Sequence, residues 1–256
     1  MIVLVRPVSS SFARALAAIA PDPAIDVARA SAEHAAYVAA LQRAGAEVVV
    51  VPAADELPDA CFIEDTAVIA GGVALITRPG APSRQAEPAA VRDALAGWLP
   101  VAAMDAPATL DGGDCLRLGH RLYVGRSART NAAGVARARA VFEPLGVEVI
   151  EVPVAGALHL KSVCSPLGDD AVLVVEGALP SGTFGDAHEL VVPAAEAPAA
   201  NAVVIGGVAL VSAGFATVAR LVAALGLEPV AIDNRELRRA DSALTCLSII
   251  VPDARR

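Results

Sequence analysis

One thiol, one imidazole and a group of carboxylates stand out in this chain because each interrupts apolar sequence. Cys246 lies at the mouth of the run Leu244–Val251, whose β-branched, apolar character reads as a short buried strand after a turn at Asp241-Ser242. A thiol there is polarisable and becomes a nucleophile once deprotonated. His159 opens a second apolar segment, Leu158-His159-Leu160-Lys161-Ser162. Acids flank two more: Asp59, Glu64 and Asp65 around Phe62-Ile63, and Asp111 and Asp114 around Gly112-Gly113. Thiol, imidazole and carboxylate are the parts of a nucleophile, its proton carrier and the group that orients the imidazole. Carboxylates beside apolar strand residues are costly to bury unless something positive meets them, and a cationic ligand would meet them. Taken singly, each residue also has a plainer reading: a small hydrophobe, a core histidine, a turn cap, or a partner for an Arg. Glu64 and Asp65 carry a geometric constraint, since neighbours on a regular strand face opposite sides and share a ligand only at a bulge or strand end.

The elements that must position these groups fall within 256 residues, enough for one large domain with an ample core. A net charge of -8 and a pI near 5.0 argue against nucleic acid and suit an enzyme with a cationic ligand. Cys61, Cys115, Cys164 and Cys246 form no C-x-x-C pair and have no His at zinc-finger spacing, a pattern that reads as reduced, cytoplasmic and metal-free. Mean hydropathy is high at +0.57, yet Gly, Pro and charges break every window long enough for a membrane helix. Met1 to Val5 reads as a strand rather than a signal peptide, having no basic residues before it and no cleavage site after it. Of the twenty basic residues only Lys161 is lysine, which hints that its position needs a compact ammonium rather than a guanidinium fork.

The chain is repetitive. Paired β-branched runs recur at 61–70 with 73–78, 114–118 with 121–125, 159–166 with 171–176, and 201–205 with 208–212. Helical stretches follow at 87–98, 130–145, 186–189 (a weak pattern) and 213–225, and short strands at 101–103, 147–152 and 229–232. An earlier helix at 30–44 leads to a strand at 48–51. This is a hairpin, helix and strand repeat of about 42 to 50 residues. The N-terminal strand 2–5 and the C-terminal strand 244–251 lack hairpin partners; if they pair, they complete a fifth unit and close a ring with a central funnel. The expected fold is therefore a single α/β domain of propeller type over 1–256. It is not a Rossmann fold, because Gly71-Gly72, Gly112-Gly113 and Gly206-Gly207 lie in or beside hairpins and read as turn devices.

Several stretches together resemble the dimethylarginine dimethylaminohydrolases, members of the guanidine-modifying superfamily with the five-bladed α/β-propeller, or pentein, fold. They are Ile63-Glu64-Asp65, Thr77-Arg78-Pro79-Gly80-Ala81-Pro82-Ser83-Arg84, Leu110-Asp111-Gly112-Gly113-Asp114, Arg129-Thr130-Asn131, Leu158-His159-Leu160-Lys161-Ser162 and Ala243-Leu244-Thr245-Cys246. The resemblance spans nearly the whole chain. It implies Cys246 as nucleophile, His159 as general acid and base, and Asp111 as the carboxylate that orients the histidine. It further implies Glu64 and Asp65 around a substrate guanidinium and Asp59 as an additional substrate contact. Arg84 and Arg129 would hold the amino-acid end, and Leu16 and Ala240 would line the substrate through a lid and backbone contacts. Ser242 departs from the Gly usual in the last motif.

The implied partner is a small methylated arginine, hydrolysed to citrulline and a methylamine through a thiouronium intermediate, with no metal, organic cofactor, nucleic acid or membrane. The bound cation and His159 are expected to lower the thiol pKa. Oligomeric state is left open, a homodimer among the arrangements. Two alternatives stay in view. An arginine deiminase-like hydrolase of another guanidino compound is disfavoured because deiminases carry His-x-Asp where this chain has His159-Leu160-Lys161. A non-enzymatic pentein binding module would have no need of Cys246, His159 and Asp111 together.

Overall fold

The computed structural model describes residues 1–252. In chain order its elements are β1 (Ile2–Val5), α1 (Val27–Arg43), β2 (Glu47–Val50), β3 (Ala67–Ala70), β4 (Val73–Ile76), α2 (Pro88–Leu95), β5 (Val101–Ala103), β6 (Cys115–Leu118), β7 (Arg121–Arg126), α3 (Ala132–Phe142) and β8 (Glu148–Pro153). The second half holds β9 (Cys164–Pro166), β10 (Ala171–Val175), β11 (His188–Val192), β12 (Ala202–Ile205), β13 (Val208–Ser212), α4 (Ala216–Ala224), β14 (Glu228–Ile232) and β15 (Ser248–Val251). The strands form five three-stranded mixed sheets of an α/β fold. In four of them an antiparallel hairpin is followed by a third strand parallel to the hairpin's second strand: β3-β4-β5, β6-β7-β8, β9-β10-β11 and β12-β13-β14. The fifth is assembled from both ends of the chain. There β15 lies antiparallel to β1, Ile2 opposite Val251 and Val5 opposite Ser248, and β2 runs parallel to β1 on its other side.

Local chemistry explains the pieces. Gly71 and Gly72, at φ +56° and +74°, supply the two left-handed residues that a two-residue hairpin between β3 and β4 requires. Asp26 caps α1 by accepting from the N–H groups of Ala28 and Arg29, and Asn131 caps α3 through Gly134. Along α1, Ala30, Glu33, His34, Tyr37, Ala40 and Leu41 form the buried stripe, at the spacing of one helical face. Tyr37, fully buried, ties this helix to the fifth sheet through a 2.7 Å bond to Ser248 Oγ.

One expected helix is absent. Residues 186–189 lead into a strand, β11, and the link before it is punctuated by Gly177, Pro180, Gly182 and Gly185. The three glycines take positive φ, which breaks any helix, and Phe184 anchors the link by packing edge-on against Tyr123 at 5.0 Å.

The leading strands are shorter than the sequence pattern implies, and the difference decides where the chemistry sits. Each is preceded by a 3₁₀ turn: Ile63–Thr66 before β3, Gly112–Asp114 before β6, Leu160–Ser162 before β9, Ala194–Ala199 before β12, and Thr245–Leu247 before β15. Cys246, expected on a strand, is therefore carried by a turn, as are Glu64 and Asp65, while His159 and Asp111 stand at the N-caps of theirs. The turns touch in series, 245–247 against 63–66, 63–66 against 112–114, and 112–114 against 160–162.

Candidate active site

A cavity of about 670 Å³ opens over these turns. It is lined by Leu16, Asp59, Glu64, Asp65, Arg84, Arg129, His159, Ala240 and Cys246, nine of the ten positions singled out in the sequence. The tenth, Asp111, is fully buried behind the cavity wall and reaches His159 from there. Glu64 and Asp65 escape the alternation of a strand because a turn carries them, so both line the same space.

Two glycines let the turns come this close. Gly112 and Gly113 lie in a turn, as the sequence implies, but neither takes a positive φ; they are needed for close approach. A Cβ on Gly112 would lie 2.0 Å from the Glu64 carbonyl, and one on Gly113 would lie 2.6 Å from His159 Nδ1 and 2.9 Å from Asp65 Oδ1. The missing side chain at Gly113 makes room for the imidazole, and its N–H donates to Asp65 at 2.8 Å.

His159 Nε2 is 3.0 Å from Asp111 Oδ2, and the Gly80 N–H holds the other oxygen of that carboxylate at 2.8 Å. Burial pushes His159 toward the neutral form, but Asp65, the bond to Asp111 and the charge of Asp114 together raise it to about 9. Asp114 braces the same turn, taking the Leu160 N–H at 2.9 Å and hydroxyls of Ser127 and Thr130 at 2.6 Å each. Both acids around Gly112-Gly113 are thus in use, whereas an Asx turn would engage only one.

Glu64 Oε1 meets Lys161 Nζ at 2.5 Å, and its other oxygen accepts from Thr245 Oγ1 at 2.9 Å, one residue before the thiol. Burial lifts the Glu64 carboxyl against the pull of Lys161, while Glu64 keeps Lys161 charged. The sole lysine therefore has a site role, and the pair also borders a second cavity of about 530 Å³. Asn201 clasps the Cys246 turn: its Nδ2 donates to Thr245 Oγ1 and to the Lys161 carbonyl, and its Oδ1 accepts the Thr245 N–H. Sequence reasoning missed Asn201, although it opens the fourth hairpin as His159 opens the third.

Arg84 lines the cavity with its guanidinium already engaged. It is docked on the Glu87 carboxylate through Nε and Nη2, donates to the Phe62 carbonyl, and reaches Asp65 Oδ2 through Nη1 at 2.6 Å. The ion pair braces Asp65. Despite burial, His159, Arg84 and the Gly113 N–H hold Asp65 below the ordinary carboxylate range. Arg129, a fifth exposed with Nη1 3.9 Å from Asp111, is the freer of the two. In the free site, burial, with Glu64 and Asp65 alongside, pushes the Cys246 thiol up against the pull of the Ala243 backbone contact and of Lys161.

At the mouth, the Leu16 N–H donates to Asp59 Oδ1 at 2.9 Å, and burial raises the Asp59 carboxyl. Cys61, Cys115 and Cys164 are buried thiols pushed up by burial.

An anionic wall prepared for a planar cation, next to a thiol and an imidazolium, marks the class as an amidine-hydrolysing enzyme. The family profile described as "N,N dimethylarginine dimethylhydrolase, eukaryotic" matches residues 14–195. The chain is 43% identical over 253 residues to the N(G),N(G)-dimethylarginine dimethylaminohydrolase of Streptomyces coelicolor, covering 96% of this chain and 95% of that protein. It belongs to the dimethylarginine dimethylaminohydrolase family. Among solved structures, a cysteine-to-serine variant of the Pseudomonas aeruginosa enzyme complexed with citrulline superposes with a TM-score of 0.92 at 29% identity, over 96% of this chain and 97% of that one. The N-terminal domain of ArgZ, a cyanobacterial arginine dihydrolase bound to product, has the same fold at 17% identity, with a TM-score of 0.86 over 97% of this chain and 96% of its own.

Proposed function

We propose that this protein hydrolyses Nω-methylated arginines to citrulline and a methylamine, with Cys246 as nucleophile, His159 as proton carrier and Asp111 as its orienting partner. The observation that carries this reading is the convergence of Cys246, His159, Glu64 and Asp65, from turns of three sheets, on one cavity. The family membership supports it.

The free site rests with a neutral thiol and a protonated imidazole. A substrate guanidinium, bound against Asp65 and Glu64, offsets the negative charge that holds the thiol up, so substrate binding itself releases the thiol proton to solvent. Cys246 Sγ attacks the guanidinium carbon, forming a C–S bond and a tetrahedral adduct. The His159 imidazolium gives its proton to the methylated nitrogen as that C–N bond breaks, and the amine departs. Neutral His159 then takes a proton from water as the water oxygen bonds to the thiouronium carbon. Collapse breaks the C–S bond, returns the thiolate and leaves citrulline, the hydroxyl proton passing to solvent. Asp111 keeps Nε2 aligned and stabilises the charge on the ring through the cycle. Arg84 and Arg129 hold the amino-acid end, and Asp59, Leu16 and Ala240 complete the contacts around it.

The same reading takes the five sheets as blades of one closed α/β propeller forming a single domain over 1–256. The packing of β15 on β3, β6 on β9 and β9 on β12 supports that arrangement. It places the enzyme in the cytoplasm, where four unpaired thiols persist; among the described residues no helix is long and apolar enough to cross a membrane. Citrulline release from asymmetric dimethylarginine, monomethylarginine and arginine, measured in parallel with a Cys246→Ser control, tests the reading. Turnover of the methylated substrates alone, abolished in the variant, upholds it. Preference for arginine transfers it to the deiminases, and silence on all three to a binding module or another guanidine.

A further inference from the structure

The segment Ala15–Asp26 crosses the mouth of the cavity, with Leu16, Ala17 and Ala18 in its lining, and carboxylates clasp it at both ends. At the far end, Glu236 Oε1 takes the Asp26 N–H at 2.7 Å while Arg239, itself paired with Glu236 at 2.7 Å, donates to the carbonyls of Pro23 and Ala24. At the near end, Asp59 takes the Leu16 N–H and Asp241 Oδ2 takes the Ala18 N–H at 2.5 Å. Asp241 is unusual in a second way: among the described residues it alone adopts a positive φ without being glycine, at +52°. Asp tolerates that conformation better than most residues but at some cost. The twist presents its carboxylate to the segment, and the chain then runs through Ser242, whose hydroxyl bonds the Leu237 carbonyl, directly into the turn of Cys246.

We propose that Asp241 is a positioning residue, the latch that closes the Ala15–Asp26 segment over the cavity and joins its closure to the stretch that carries Cys246. This rests on the function proposed above only for its kinetic arm. A charge-assisted acceptor on a backbone N–H is stronger than a neutral one. With the far end held by Glu236 and Arg239, and Leu16 by Asp59, loss of Asp241 frees only the stretch around Ala18.

The test compares Asp241→Gly and Asp241→Asn in the full-length protein. Glycine suits the left-handed backbone, so it keeps the fold and removes the acceptor; asparagine also tolerates that backbone and restores a neutral acceptor. Native-state hydrogen exchange at the Ala18 amide needs no substrate. It is expected to quicken roughly tenfold in the glycine variant and less in the asparagine variant, with thermal unfolding unchanged or raised. With asymmetric dimethylarginine, KM is expected to rise about tenfold in the glycine variant and kcat to change less. Wild-type exchange at Ala18 in Asp241→Gly overturns the latch. So does a raised KM without faster exchange, which would make Asp241 a direct substrate contact. Faster exchange with no turnover even in the wild type leaves the latch standing and removes the functional reading.

Discussion

Asp111 and His159 meet at 3.0 Å across two turns that serve different sheets, and the Gly80 N–H pins the carboxylate from its other side. The histidine is thereby aimed by a group with no exposure of its own. Asp111→Asn keeps the shape and removes the charge. We expect kcat to fall by about 10²- to 10⁴-fold, and the basic limb of the kcat/KM pH profile to move to lower pH. An unshifted limb in the variant would sink the assignment.

The same pairing makes stability depend on pH. The folded-state pKa of His159, about 9, lies above its ordinary value near 6.5, so its contribution is fully present below about pH 6.5 and is lost as pH rises through about 9. Urea midpoints measured from pH 6 to 10 should fall more steeply for the wild type than for His159→Asn across that window. Parallel curves would mean the imidazole titrates alike in both states.

Gly113→Ala places a methyl 2.6 Å from the imidazole. The ring must turn away from Asp111 or the turns must part. A folding cost of about 1–3 kcal/mol and a loss of activity far larger than that cost explains are expected from urea unfolding and steady-state kinetics. Near-normal kcat would show that the turns have slack.

Removing the ammonium from the Glu64–Lys161 pair leaves a buried carboxylate without its main partner. Both side chains are about a tenth exposed, so Lys161→Met is expected to cost about 3 kcal/mol, the low end for a buried pair. Adding Glu64→Gln should recover much of that loss, and a double-mutant cycle from urea unfolding measures the coupling.

The resting thiol is the remaining prediction. Its iodoacetamide reaction should show a pH midpoint above the ordinary thiol value of about 8.5, because burial, Glu64 and Asp65 all oppose the thiolate. Glu64→Gln should bring the midpoint down. A wild-type midpoint below 8 would contradict a neutral resting thiol.

The repeat was legible in sequence because each hairpin is written in β-branched runs, and even the pairing of β1 with β15 followed from two strands left over. The 186–189 helix was misread because four residues carry too little periodicity to outweigh the glycines before them. Site residues were legible where a polar group interrupts an apolar run, as at His159 and Glu64. What sequence could not supply was the turn geometry. A 3₁₀ turn of three or four residues has no pattern of its own, so the sharing of one cavity by Glu64 and Asp65 and the close fit at Gly112-Gly113 emerged only from the fold. Nor does any sequence pattern show that the Arg84 guanidinium rests on Asp65 and Glu87.

The fifth sheet draws β1 from the start of the chain and β15 from near its end, with Cys246 on the turn just before β15. During vectorial synthesis the first four hairpins, the imidazole and all the site carboxylates emerge before the thiol does. A chain still short of Cys246 therefore carries the imidazole and every site carboxylate named above, but not the complete wall that residues 240–246 supply. On the function proposed above, reactivity arrives only once the last strand docks against the first, so the order of translation keeps unfinished chains chemically silent.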